Sequence, residues 1–207
     1  TVEPDTLLAG LVDSGNIALN ARDWDDTLWL EGKAALEAGG LRQYEVSNFA
    51  RPGKECRHNL RYWRLEPYLG IGPGAVSTLP RDLAAALVGE RRDAAVVRLA
   101  NPRDIDSFLG GRGIEVETVG PREFVLETLM MGLRLVDGIG RASFRRRFGC
   151  SLDDLAPGLW RRWEAGGLAL ADPSRLRLSD RGFLLLDTLL RELAAELADA
   201  APRPIDV

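Results

Sequence analysis

Apolar positions along this 207-residue chain follow a helical spacing in some stretches and a strand-like alternation in others. Leu7, Leu8, Leu11 and Val12 recur at helical spacing behind Asp5 or Thr6, either of which can cap a helix, and Gly15 stands where that helix would end. A second helix is predicted from Asp23 to Ala38, closed by Gly39-Gly40. Leu41 to Phe49 reads as a strand, with Tyr44 and Val46 as its β-favouring residues, and a helix followed at once by a strand suggests a βα unit. Beyond the Pro52-Gly53 turn signal, Cys56 to Trp63 has room for about two helical turns. Tyr68 to Ile71 reads as a short strand opened by Gly72-Pro73-Gly74. Residues 81–92 begin as a helix, and Val96 to Leu99 has strand character. Pro102 precedes a helix over Asp104 to Leu109, and Ile114 to Val119 alternates like an edge strand.

Gly120-Pro121 marks a change of pattern, with Pro121 at a helix N1 position. Val125 or Leu126, Leu129, Met130 and Leu133 outline an amphipathic helix ending near Gly138. Arg141 to Phe148 aligns Phe144 with Phe148, and Ser151 caps a helix reaching Glu164. Leu168–Ala171 and Leu176–Leu178 flank Asp172-Pro173-Ser174 as a hairpin, and Ser179 caps a last helix to about Ala198. Three helices, a hairpin and a helix predict a winged-helix-like domain over residues 120–200, behind a first domain of residues 1–119. Residues 201–207 have no core residues and are expected to form a flexible tail.

A composition of 45% hydrophobic and 28% charged residues fits a core-forming chain. The net charge of −4 argues against a nucleic-acid or anionic-membrane partner. The arginine clusters at 145–147 and 161–162 do not change this, because residues 121–199 hold 12 Arg against 12 Asp plus Glu, and the clusters read as solvated faces. No apolar run approaches the roughly 20 residues of a membrane span. Two cysteines, Cys56 and Cys150, far apart in sequence, point to a reducing, cytoplasmic compartment and cannot by themselves build a closed thiolate metal site. The chain starts without Met on a segment resembling the end of a strand, so a preceding half is expected.

Chemically versatile residues gather between Tyr44 and Ser77. His58 is the only histidine, and Tyr62 shares its helical face. An imidazole and a phenol on one face, with the Trp63 indole beside them, suit a metal or heme iron and a stacked porphyrin. The alternative is a hydrogen-bonded histidine among core-filling aromatics. Cys56 is either a soft ligand or an inert small hydrophobe. In the run Gly70 to Ala75, Pro73 removes an amide donor and no Lys-Ser/Thr follows, so a phosphate loop is a poor match; a strand end facing a flat cofactor is a better one.

The segments YEVSNFARPG, ECRHN, YWR and YLGIGPGA resemble the oxygen-independent coproporphyrinogen III oxidase-like radical-SAM family, best of all its heme-chaperone branch. TVEPDTLLA at the start, GLRLVDGI at Gly132 to Ile139 and LSDRG at Leu178 to Gly182 extend the likeness over most of the chain. The resemblance implies an α/β (α+β overall) fold: the second half of an open partial (β/α) barrel followed by the winged-helix-like domain. It implies heme as a ligand of the HNxxYW motif, here His58, Asn59, Tyr62 and Trp63, with His58 as the candidate iron ligand. It also brings Gly72, Gly74, Ala75 and Val76 near a site for S-adenosylmethionine, and Val76 stands where the heme-chaperone branch usually has His. The family's CxxxCxxC motif for a [4Fe–4S] cluster is absent from these residues, so the cluster and S-adenosylmethionine are expected only with a preceding half, and the chain alone is not expected to cleave S-adenosylmethionine; no catalytic residue is assigned. The functions implied are a heme chaperone that delivers heme to an accepting protein, an oxidative decarboxylase of coproporphyrinogen III, or a non-enzymatic interaction fragment that dimerises or pairs with the missing half.

Overall fold

Thr6 starts the first helix: its side-chain oxygen accepts from the Ala9 amide at 3.2 Å, α1 (Leu7–Asp13) follows, and Gly15 takes φ 72° just beyond. The structure, a computed structural model, describes residues 2–18, 22–90 and 93–199; the 201–207 tail lies outside the described residues. The chain divides into two units, residues 1–42 and 43–207. The first contains α1 and α2 (Arg22–Ala38), and none of its described side chains is buried. Leu7 is 83% exposed, and Leu28 and Leu30 are open as well, so the described residues of this unit leave apolar side chains uncovered and form no core of their own.

At the second unit's start, β1 (Arg42–Gln43) pairs with β2 (Phe49–Ala50). The continuous strand expected from Leu41 to Phe49 does not form. The Glu45 carboxylate accepts from the Ser47 amide at 3.0 Å and from the Asn48 side chain, and the Tyr44 amide donates to the Asn48 carbonyl at 3.1 Å. These local bonds compete with the extended ladder and fold the chain back. Then α3 (Arg57–Trp63) occupies the predicted two turns.

Next come β3 (Val76–Pro80), α4 (Arg81–Val88), β4 (Val96–Ala100), α5 (Ile105–Leu109) and β5 (Glu115–Val119). The strands form an antiparallel sheet in the order β3-β4-β5. Leu79, Ala84, Ala94, Val97 and Leu99 form its core cluster. β5 is the expected edge strand, with only Val119 buried. The strand expected at Tyr68 to Ile71 reduces to one bridge, Tyr68 to Thr78, and the chain then leaves the sheet with Leu69 66% and Ile71 85% exposed. The full strand lies instead at Val76–Pro80, a stretch whose polar centre and terminal proline concealed it.

The remaining elements are α6 (Pro121–Gly132), β6 (Ile139–Gly140), α7 (Arg141–Phe148), α8 (Leu152–Leu155), α9 (Leu159–Ala165), β7 (Ala169–Leu170), β8 (Arg175–Leu178), α10 (Asp180–Leu184) and α11 (Leu186–Asp199). The strands form an antiparallel sheet ordered β6-β8-β7. α6 stops at Gly132, short of Gly138, because residues 134–136 pair with another segment: the Val46 amide donates to the Arg134 carbonyl at 2.9 Å and the Val136 amide to the Tyr44 carbonyl at 3.1 Å. The helix expected from Ser151 to Glu164 breaks at Pro157-Gly158, since proline has no amide to donate and disfavours helical geometry in Ala156. The last helix is likewise interrupted, at Leu185. Phe124, Phe144 and Phe148 pack ring to ring, and Trp160 and Trp163 are buried against each other. Arg98 on β4 grips Glu127 on α6 with two bonds of 3.0 and 2.5 Å, and hydrogen bonding to Glu127, against the cost of burial, raises the guanidinium's pKa.

Candidate functional site

Seven residues of α3 hold the whole HNxxYW motif, and the helical repeat separates it onto two faces. His58 and Tyr62 point outward, with ring centroids 4.8 Å apart and planes at 84°. Tyr62 in turn meets Tyr68 edge-on at 4.7 Å and 72°. Tyr68 comes from the segment bridged to β3, so the three rings form a ladder between a helix and a sheet edge. Tyr68 lies outside the motif, six residues beyond Tyr62, and only the fold brings the two rings together. The side chains of His58, Tyr62 and Tyr68 take no hydrogen bond from the protein among the described residues.

Asn59 and Trp63, the other half of the motif, turn inward. The Asn59 amide group donates to the Tyr44 hydroxyl at 3.2 Å and to Glu45 Oε1 at 3.4 Å. Glu45 is fully buried, and its two oxygens also serve Ser47 and Asn48. A buried carboxylate is tolerated when such donors satisfy it. Because residues 44–46 pair with residues 134–136, Asn59 links α3 to the turn after α6. Trp63 lines a cavity of about 410 Å³ with Gly132, Leu135, Ile139, Phe144 and Phe148, and its buried indole N–H has no partner among the described residues.

Arg147 secures the end of α3. It donates to the Arg64 carbonyl at 3.1 Å and the Leu65 carbonyl at 2.7 Å, where Leu65 takes φ 47°, and its guanidinium lies 4.6 Å from the Phe124 ring centroid. Burial lowers its pKa, with Glu66 acting in the opposite direction. Arg147 therefore departs from the solvated-face reading of its cluster, although Arg145 and Arg146 are exposed.

The glycine run is occupied by its own backbone. The Gly74 amide donates to the Pro102 carbonyl at 2.9 Å, the Ala75 amide to the Gly72 carbonyl at 3.3 Å, and Asn101 holds the Gly72 and Ala75 carbonyls. Gly72 and Gly74 have φ of 107° and 70°, and a Cβ on Gly70 would collide with the Val76 backbone. Val76, 39% exposed, begins β3 opposite Ala100. The glycines thus have a structural explanation of their own. Cys56 and Cys150 are unbridged, and two cysteines are too few to supply three thiolates to a cluster. Among the described residues no group of three or more His, Cys, Asp or Glu converges to hold a metal, and no helix is long and apolar enough to cross a membrane.

Residues 119–185 match the HemN C-terminal domain. The chain is 30% identical over 196 residues to heme chaperone HemW of Bacillus subtilis, covering 95% of this chain and 49% of that protein. It is 33% identical over 213 residues to the mouse radical S-adenosyl methionine domain-containing protein 1, mitochondrial, covering 97% of this chain and 46% of the relative. It thus spans about half the length of the curated relatives it matches. Among solved structures, the radical SAM enzyme coproporphyrinogen III oxidase (HemN) from Escherichia coli shares the fold, with a TM-score of 0.52 and 16% identity over 80% of this chain and 40% of that one. The chain belongs to the HemN-like radical-SAM family, on its HemW heme-chaperone branch, and carries that family's C-terminal domain.

Proposed function

We propose that this chain is the heme-holding portion of a heme chaperone, which binds heme on the outer face of α3 and passes it to an accepting protein. The observation that carries this reading is the pair His58 and Tyr62, ring against ring and without protein hydrogen bonds, on a helix anchored from behind by Asn59. The donor set fits the cargo: an imidazole or phenolate can ligate heme iron, and exposed aromatic rings can pack against a macrocycle. His58 is the iron ligand in this reading, Tyr62 offers the ligand its ring and its unpartnered hydroxyl, and Asn59 and Trp63 hold the helix. The chain's own part is to bind and orient heme; the chemistry of a [4Fe–4S] cluster and S-adenosylmethionine would require cysteines beyond the two present, and Gly72, Gly74, Ala75 and Val76 are proposed only as neighbours of that chemistry.

In the same reading, residues 120–200 form the winged-helix-like domain and residues 1–119 belong to a partial barrel, though the sheet β3-β4-β5 is antiparallel where barrel strands would be parallel. The proposed partners are heme or porphyrin, a heme acceptor and, for the uncovered apolar residues of α1 and α2, a second copy or the remaining half of a longer protein. A strictly monomeric chain with a sharp, high melting transition would count against that last partner. Hemin titration followed at the Soret band tests the main proposal. We expect His58→Ala to shift the band and both His58→Ala and Tyr62→Phe to weaken binding; unchanged spectra and affinities would refute it. The fold shared with HemN keeps coproporphyrinogen III oxidation as the second reading. Vinyl product from anaerobic assay of a full-length, cluster-loaded protein would favour it, and absence of product would exclude it.

A further inference from the structure

The ring ladder does not end at the motif, and its far end carries polar chemistry without a task. Tyr68 is fixed at the open edge of β3, its amide donating to the Thr78 carbonyl and its carbonyl accepting from the Thr78 amide, both at 2.9 Å. Its ring rests on Tyr62, while its hydroxyl has no protein partner among the described residues. The Tyr68–Thr78 bridge sets Gly70 opposite Val76, and the missing side chain at Gly70 keeps that side of the edge low. Arg61 adds a cation to the same end. Its guanidinium donates to the Pro67 carbonyl at 2.9 Å, which holds the positive charge beside the residue preceding Tyr68. Glu66 is 3.8 Å away, too far for a hydrogen bond, and both side chains are about half exposed, so this ion pair is weak and can be displaced.

We propose that Tyr68 and Arg61 form the acidic-group end of the ligand site, receiving a carboxylate arm of the tetrapyrrole whose metal lies at His58. The proposal rests on the heme-binding reading above and adds two binding residues of distinct chemistry: a phenol that donates one hydrogen bond and a guanidinium that supplies charge. Hydrogen bonds to a carboxylate are the strong kind, so each residue should carry a measurable part of the affinity for an acidic porphyrin and little for a neutral one.

The test titrates the intact chain, Tyr68→Phe and Arg61→Gln with hemin and with hemin dimethyl ester, and records a melting curve for each. The expected result is about a tenfold loss of hemin affinity in each variant, with an unmoved Soret maximum, unchanged melting and no loss against the ester. Equal hemin affinity in the parent and both variants, or equal losses for acid and ester, would overturn the proposal while leaving a His58-dependent Soret band intact. Failure of the parent chain to bind hemin at all would overturn the heme-binding reading and this inference with it.

Discussion

The two faces of α3 are built from the same short motif but solve opposite problems. Inward, Asn59 and Trp63 spend their polar and apolar surface on the protein: one meets a buried carboxylate and a phenol, the other lines the cavity beside α6 and α7. Outward, His58 meets Tyr62, Tyr62 meets Tyr68 in turn, and their polar atoms stay free of protein partners among the described residues. A motif of four named residues is therefore two pairs, one that secures the helix and one that the helix presents. The paired amide of Asn59 and the enclosed ring of Trp63 mark a folding role, and unpaired exposed polar groups mark surface left for a ligand.

The sharpest way to break this division is to remove the inward tryptophan. Trp63→Ala would enlarge a cavity already about 410 Å³ and take the floor from under α3. We expect a loss of about 3 kcal/mol in stability, read by urea denaturation, with the slope unchanged. A loss as small as that of an outward residue would end the comparison.

Asn59→Ala should cost less, about 2 kcal/mol, because it removes one of several donors from Glu45 and leaves the others in place. The cost arises from leaving a buried acceptor short of a partner, so combining it with Glu45→Gln should give a smaller loss than the two single changes added together. A double-mutant cycle measures that coupling, and strict additivity would show that Asn59 and Glu45 act independently.

How much of this was legible in the chain depends on whether the cause was local. Helices with a cap and a stop were readable: Thr6 with Gly15 for α1, Pro121 for the start of α6, and Phe148-Gly149 for the end of α7. Strands were less so. Tyr44 and Val46 have strand propensity, yet the Glu45 side chain and the pairing with residues 134–136, nearly ninety positions away, determine their geometry. The strand placed at Tyr68 to Ile71 belonged to Val76–Pro80, because a glycine turn let the chain double back and only the second arm found a ladder on β4. For the site, the helical repeat paired His58 with Tyr62 correctly. It could not supply Tyr68, which arrives through a backbone bridge, or Arg147, which reaches the end of α3 from α7. Side chains that meet across distant segments leave no periodic trace.

The smallest expected effect tests the comparison most stringently. His58→Ala removes an exposed ring with a single edge-on neighbour, and Tyr62→Phe removes only a hydroxyl without a protein partner while keeping both ring contacts. Neither change opens a cavity or strands a buried group, so each should move stability by no more than about 0.5 kcal/mol. The same two variants carry the predicted loss of hemin binding, and the two measurements belong together. A drop in affinity beside an unmoved melting curve assigns the outward face to the ligand. If His58→Ala lowered stability as much as Asn59→Ala, the exposed pair would be part of the scaffold, and reduced hemin binding would report a disturbed helix instead of a lost ligand.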